Sequence, residues 1–187
     1  MLGRDVTLRP VTLATSDGGR IYRRSLVMLM TTAAAELWPG CQISVRYAVP
    51  DGGFYCTRSG ADAFTTEELD QLEIQMWAIV SSDDPITKRS EPLDNVRAMY
   101  EHRQEYDKVR LLQQRDRDHL TLYTLRGRDD YYFGYMVPST RYLQYFRLIR
   151  VRDGFILQYP RKETPTKLRP IRAYDKLGAV FQQTDNW

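Results

Sequence analysis

Residues 65–82 read TTEELDQLEIQMWAIVSS, and this stretch has the most complete helix pattern in the chain. Thr65 stands three residues before Glu68, which is the spacing of a capping box at a helix N-terminus. Apolar side chains then recur on one helical face at Leu69, Leu72, Met76, Ile79 and Val80. The pattern predicts an amphipathic helix in which Met76 and Trp77 serve the core and not a cofactor.

A second helix and a hairpin precede this stretch. Apolar residues recur at three- and four-residue spacing over residues 23–37, and Pro39 with Gly40 ends the pattern. Two β-rich runs follow, at residues 41–47 and 54–57, around a turn whose glycines permit positive φ. We predict a helix followed by a β-hairpin.

A strand, a helix and several further strands follow the 65–82 helix. Residues 86–90 are typical of a short strand, and Pro92 suits the first turn of a helix. Further strands are predicted near residues 120–125, 142–152 and 155–159, and a closing helix over 173–183. This order predicts an α+β fold with a mostly antiparallel sheet and its helices on one side.

The length of 187 residues suits one main domain. Residues 1–20 alternate weakly and end in a turn-like Ser-Asp-Gly-Gly, so we predict a lead-in over 1–20 and one α+β domain over 21–187. The apolar stretch at 26–37 is too short and too polar to span a membrane, and no secretion signal is evident. We expect a cytoplasmic protein with no membrane partner.

The residues that usually carry chemistry are sparse. His102, His119, Cys41 and Cys56 lack zinc-site spacing, so no metal is expected, and both histidines are interpreted as surface residues. Cys41 and Cys56 are interpreted as reduced core thiols. The chain also lacks a phosphate-binding loop of the Walker type and a serine-nucleophile elbow, which excludes a P-loop kinase within this chain.

Residues 129–140 read DDYYFGYMVPST and form the densest aromatic cluster. Two interpretations stay open: a strand and loop whose rings fill the core, or a pocket wall on which a planar ligand stacks. In the second interpretation the candidate pocket aromatics are Tyr55, Tyr131 and Tyr135.

Positive charge is concentrated in the last third of the chain, where residues 126–187 hold 12 Lys and Arg against 6 Asp and Glu. This asymmetry is explained by a solvated face or by an anionic partner such as RNA, whereas no DNA partner is expected. The candidate RNA-contacting residues are Arg147, Arg150, Arg152, Arg161 and Lys162.

Several segments in order, at residues 21–25, 36–39, 53–55, 106–112 and 137–140, resemble the second additional domain, the editing domain, of threonyl-tRNA synthetase. The resemblance covers residues 20–187 and implies the threonyl/alanyl-tRNA synthetase additional-domain fold. In that family two histidines four apart on a helix, and a cysteine and a histidine four apart, form a hydrolytic site.

The matching positions in this chain are Arg24, Met28, Tyr132 and Met136, so all four site residues are replaced. These side chains cannot take over the histidine and cysteine roles, and no catalytic residue is expected. Lys108 and Asp130 match a lysine and an aspartate of the editing pocket, so we expect a remnant cleft that binds without reacting. Arg24 is a candidate partner of Asp130 in that cleft, the alternative being that it caps a surface helix turn.

The amino-acid sequence at residues 20–25, 131–140, 153–155 and 160–161 is similar to that of a bacterial uridine kinase-like family. That resemblance implies a preceding ubiquitin-like domain and a following P-loop kinase domain, with ATP and Mg²⁺ bound only there. The leading hypothesis is therefore a non-catalytic accessory or regulatory domain of a nucleoside kinase that binds a nucleoside or nucleotide. The alternatives are a tRNA-binding module and a surviving aminoacyl-tRNA deacylase.

Overall fold

A computed structural model describes residues 9–113 and 118–170. In those ranges the chain forms, in order, α1 (Ser16–Leu37), β1 (Ile43–Val49), β2 (Gly53–Arg58), α2 (Thr66–Ser81), β3 (Thr87–Pro92), α3 (Leu93–His102), α4 (Tyr106–Leu112), β4 (His119–Leu125), β5 (Arg128–Tyr131), a 3-10 turn (Thr140–Tyr142), β6 (Arg147–Val151) and β7 (Gly154–Gln158). The closing helix predicted over 173–183 lies outside the described residues.

The strands form two sheets, and every pairing within them is antiparallel. One sheet has the order β1-β2-β7-β6 and the other β3-β4-β5. The predicted α+β fold with mostly antiparallel strands is confirmed, although the strands divide between two sheets. Arg126 and Gly127 both adopt positive φ, which turns β4 tightly into β5 and keeps that pairing local.

Each sheet has its own helices and hydrophobic core. Helices α1 and α2 pack on each other and share the larger core with Cys56, Phe155 and Leu157 of the four-stranded sheet. Helices α3 and α4 pack on β4 of the three-stranded sheet, where Tyr100 and Leu122 are buried together. The space between these two halves is where the candidate site lies.

Helix α1 is longer than predicted. The side chain of Thr15 caps it by accepting a hydrogen bond from the Gly18 amide at 3.1 Å, so residues 16–19 are its first turn and not the predicted loop turn. A Cβ at Gly18 would lie 1.9 Å from the Thr12 carbonyl oxygen, which explains why glycine is needed inside this helix. Helix α1 runs across residue 20, and the division into a lead-in and a domain stays a prediction.

The capping box predicted for α2 is confirmed. The Glu68 amide donates to Thr65 Oγ1 at 3.1 Å, and the Thr65 amide donates to Glu68 Oε2 at 2.9 Å. Met76 is fully buried as predicted, whereas Trp77 lies at the edge of the core and stacks on Phe146 with ring centroids 4.4 Å apart.

The local interpretations of the histidines and cysteines hold in the structure. His102 and His119 are exposed at an element end, and both cysteines are free thiols. Burial raises the pKa of Cys56 to about 12. Within the described ranges, no helix combines the length and the apolarity that crossing a membrane requires.

Helix α4 and the 3-10 turn were not predicted. Helix α4 has seven residues and buries only Val109 and Leu112, which is too short a repeat for a helical period to be recognised. The strand predicted over 142–152 begins later, at Arg147, because the Thr140 hydroxyl donates to the Ile79 carbonyl at 2.8 Å and holds the preceding residues against α2.

An ionic clamp joins the three strands of the smaller sheet. Arg89 on β3 donates two hydrogen bonds to the Asp129 carboxylate on β5, at 2.6 and 2.7 Å. The hydroxyl of Thr124 on β4 donates to the same carboxylate at 2.5 Å. The hydrogen bonds from Arg89 lower the pKa of Asp129, with a smaller contribution from Thr124.

We expect Asp129→Asn to reduce the free energy of unfolding at neutral pH by about 1 kcal/mol, since this pair is only partly shielded from solvent. The lowered pKa of Asp129 means that its stabilisation is present above the unfolded pKa and is lost as the pH falls through the folded value. Urea titrations at neutral pH and near pH 3 should therefore show the difference shrinking in acid, because an unfolded aspartate titrates near 3.9. Asp62→Asn, in an exposed loop, is the matched control, and an equal, pH-independent loss in both variants would contradict the clamp.

Candidate ligand-binding cleft

A cleft of about 670 Å³ lies between the outer strand β1, helix α4 with the turn before it, and the end of β5. Residues 41–47 form one wall, residues 104–108 and Leu111 form the opposite wall, and residues 130–132 form the base. Three of the six predicted cleft residues line it, namely Lys108, Asp130 and Tyr132. Arg24, Met28 and Met136 do not.

A buried carboxylate anchors the base of the cleft. Asp130 is only 2% exposed, and Lys108 Nζ donates to both of its oxygens, at 2.9 and 2.8 Å. The Tyr100 hydroxyl donates to Asp130 Oδ1 at 2.5 Å. Burial, followed by the charge of Asp130, raises the pKa of Tyr100, so this hydroxyl stays a donor. The sequence prediction that placed Lys108 with Asp130 in one cleft agrees with this geometry.

A second carboxylate, Glu105, completes the network. Its oxygens lie 2.7 Å from Lys108 Nζ and 3.4 Å from Arg128 Nη2. Glu105 is buried, whereas the Lys108 side chain keeps 38% of its surface exposed. The network therefore holds two carboxylates inside and presents its cations at the cleft. Such a surface suits hydrogen-bond acceptors of a polar ligand.

Three of the four positions that the resemblance aligns with catalytic residues lie in or against the hydrophobic core. Met28 is 0% exposed on α1, and Tyr132 and Met136 pack against the same core cluster. Desolvation raises the pKa of Tyr132 well above its usual range. Neutral thioethers and a protonated phenol at these positions have no capacity to take a proton from water.

Arg24 holds a loop and does not enter the cleft. Its Nη1 donates to the Tyr135 carbonyl at 2.5 Å. Gly134 has φ +103°, and a Cβ there would lie 2.9 Å from the guanidinium, so the loop crosses directly over Arg24. The hypothesised pair between Arg24 and Asp130 is wrong, because β5 directs the Asp130 side chain towards α4 and Lys108. Arg24 does not serve as the helix cap either, since Thr15 fills that role.

Of the three candidate pocket aromatics, the structure brings only Tyr131 to the cleft. Tyr55 stacks on Tyr47 with centroids 5.0 Å apart, and Tyr47 is the one that lines the cleft. Tyr135 is exposed in the loop, with Lys88 Nζ 5.1 Å from its ring centroid. Tyr132 therefore packs against the core and Tyr131 lines the cleft, while stacking of a ligand on these rings stays a prediction.

Sequence reasoning missed Glu105, Tyr106 and Leu111 on the α4 wall. The i,i+3 spacing of Glu105 and Lys108 was the available signal, because such pairs meet on a helical turn. The candidate RNA-contacting residues Arg147, Arg150 and Arg152 are exposed on the β6–β7 hairpin, away from the cleft. Across residues 9–113 and 118–170, no three His, Cys, Asp or Glu side chains meet in a group that could hold a metal ion.

The described residues form an α+β domain, and comparison with known proteins shows that the chain is similar to part of threonyl-tRNA synthetases. The chain is 31% identical over 156 residues to the threonine–tRNA ligase of Burkholderia lata, an alignment that covers 83% of this chain and 24% of that protein. It is 30% identical over 156 residues to that of Polaromonas naphthalenivorans (83% and 24%) and 29% identical over 153 residues to that of Acidovorax sp. (81% and 24%).

The chain thus spans about a quarter of the length of the curated relatives it matches. No protein-family model matches it. The similarity confirms the resemblance to threonyl-tRNA synthetase, while the resemblance to uridine kinase-like proteins stays a prediction.

We expect Asp130→Asn to lower the free energy of unfolding by roughly 2 kcal/mol, because it leaves Lys108 and Glu105 in an unbalanced network. The control is Asp107→Asn, which changes an exposed aspartate next to Lys108 on α4. It should lower the free energy of unfolding by at most about 0.5 kcal/mol. Chemical denaturation at neutral pH measures both. Equal effects of the two variants would show that the buried network contributes nothing specific.

Proposed function

We propose that the chain is a non-catalytic accessory domain that binds a small polar ligand, a nucleoside or nucleotide, in the cleft and serves a larger ATP-dependent nucleoside kinase-type protein. The observation that carries the non-catalytic part is the burial of Met28 and the packing of Tyr132 and Met136 in the same core. Hydrolysis needs a base at these positions, and neither a methionine thioether nor a phenol with a raised pKa provides one.

The cleft has the size and chemistry of a small-molecule site. Its volume of about 670 Å³ falls within the usual range for such ligands. Tyr131 and Tyr47 provide ring faces, and Lys108 and Arg128 provide positive charge beside them. A pyrimidine nucleoside combines a flat ring with carbonyl acceptors and so matches both features.

The identity of the parent protein is the less direct part of the proposal. It is supported by the amino-acid sequence at residues 20–25 and 131–140, which is similar to that of uridine kinase-like proteins. On this proposal an attached kinase domain carries ATP and Mg²⁺, a small ubiquitin-like domain precedes this one, and cleft occupancy regulates or positions substrate for phosphorylation. The chain alone should not phosphorylate uridine or cytidine.

A second candidate is a tRNA-binding module. Its support is the similarity to threonine–tRNA ligases, whose name says that they act on tRNA, together with exposed arginines at 147, 150 and 152 on one hairpin. Binding of this kind must weaken steeply with added salt. A surviving deacylase is disfavoured because the four aligned positions hold side chains that cannot replace the family's histidines and cysteine.

The ligand is tested by a thermal-shift screen of uridine, cytidine, their monophosphates, threonine and serine, because ligands that bind only the folded state raise its melting temperature. Leu111→Glu places a charge on the cleft wall, and Ile74→Glu places the same charge outside the cleft. Ile74→Glu is the matched control because both aliphatic side chains are similarly exposed, Leu111 at 69% and Ile74 at 68%. We expect a nucleoside to raise the melting temperature of wild type and of Ile74→Glu by a few degrees and to leave Leu111→Glu unchanged.

Two outcomes would contradict this proposal. Hydrolysis of mischarged tRNA by the chain, with or without added zinc, would restore the deacylase. Salt-sensitive tRNA binding with no nucleoside or nucleotide response would favour the RNA-binding module.

A further inference from the structure

A second cavity lies at the start of helix α1, N-terminal to the cleft-lining Val27 and Thr31 of the same helix. It has a volume of about 380 Å³ and is formed by the first turns of α1, the β1–β2 turn and the segment after β7. We call it the basic cavity, defined by Arg20, Arg23, Arg161 and Lys162 around Tyr159. None of its lining residues belongs to the cleft described above.

Four cationic side chains line the basic cavity, against one lining carboxylate, Glu163. They come from two segments almost 140 residues apart, so the fold and not local sequence brings them together. Glu163 pairs with Arg161 at 3.3 Å and with Arg169 at 3.6 Å, so its charge is already shared. Within the described ranges, Arg23 and Lys162 form no ion pair with a carboxylate.

The cations are held towards a common space. Arg23 lies over the Tyr159 ring at 5.4 Å, and Arg161 Nη1 donates to the Pro50 carbonyl at 2.6 Å. Burial raises the pKa of the Tyr159 hydroxyl, and the positive charges of Arg23 and Arg161 act in the opposite direction. Arg20 is exposed and makes only a long contact with Asp17, at 3.5 Å.

We propose that the basic cavity binds a phosphate group, carried either by a nucleotide or by an RNA backbone. Concave surfaces lined by charges of one sign concentrate counter-ions of the other sign, and guanidinium groups match the oxygen geometry of phosphate. A compact cavity of this size takes one or two phosphate groups, while Tyr159 at its wall limits how deep they enter. The proposal is independent of what the cleft binds.

The test is isothermal titration calorimetry on the full chain with pyrophosphate, uridine monophosphate and tRNA as probes, at low and moderate salt. The variant Arg20→Gln/Lys162→Gln removes two exposed cations from the basic cavity. Lys88→Gln/Arg110→Gln removes two exposed cations that line neither cavity and is the matched control, with the same change in net charge. Equal melting temperatures without ligand establish that both variants fold.

We expect pyrophosphate affinity to fall by about ten-fold or more in the first variant and to stay within about two-fold of wild type in the control, since the lost interactions are direct and not long-range. If uridine monophosphate shows the same loss of affinity as pyrophosphate, the phosphate source is a nucleotide. If tRNA shows that loss and uridine monophosphate does not, the source is an RNA backbone. Absence of binding by all three probes, or equal weakening in both variants, would overturn the proposal.

The outcome is separable from that of the cleft. Uridine has no phosphate, so its thermal shift and its sensitivity to Leu111→Glu report on the cleft alone. Pyrophosphate has no base or ribose, and its sensitivity to Arg20→Gln/Lys162→Gln reports on the basic cavity alone.

Discussion

Helix α1 buries Leu26, Leu29 and Met30 completely, and the rest of the fold is arranged around that contact. Its polar side chains also fix the long segment after β5. Ser25 Oγ accepts from the Val137 amide at 3.0 Å, and the Tyr22 hydroxyl both donates to the Tyr145 carbonyl and accepts from its amide, at 2.9 and 2.8 Å. Burial of polar groups is tolerated only with such partners, so α1 dictates the path of residues 134–145.

That constraint also sets the surroundings of the positions that align with the editing site. Met28 projects from the buried face of α1, and Tyr132 and Met136 meet it from the segment that α1 holds in place. Apolar atoms there increase the packed core and exclude water. The polar network of Asp130, Lys108 and Glu105 lies nearby, and its two carboxylates are paired with the cations around them.

The cleft and the basic cavity differ in net charge and in aromatic lining. The cleft balances two buried carboxylates against its cations and offers ring faces, which favours a neutral or weakly charged planar ligand. The basic cavity has an excess of positive charge and a single aromatic wall, which favours a compact anion. They lie at different turns of α1, since Val27 and Thr31 reach the cleft while Gly19 and Arg23 reach the basic cavity.

The sequence by itself determined the features that depend on neighbours within a few residues: the α2 capping box, the α1 apolar face and the β1–β2 hairpin. A resemblance, and no local pattern, placed Lys108 and Asp130 in one cleft. Only the tertiary structure decided that the strands form two sheets, that Arg24 binds the Tyr135 carbonyl instead of Asp130, and that Arg20 and Arg23 meet Arg161 and Lys162. These contacts join residues about a hundred or more positions apart, and their geometry is set by packing that no local pattern records.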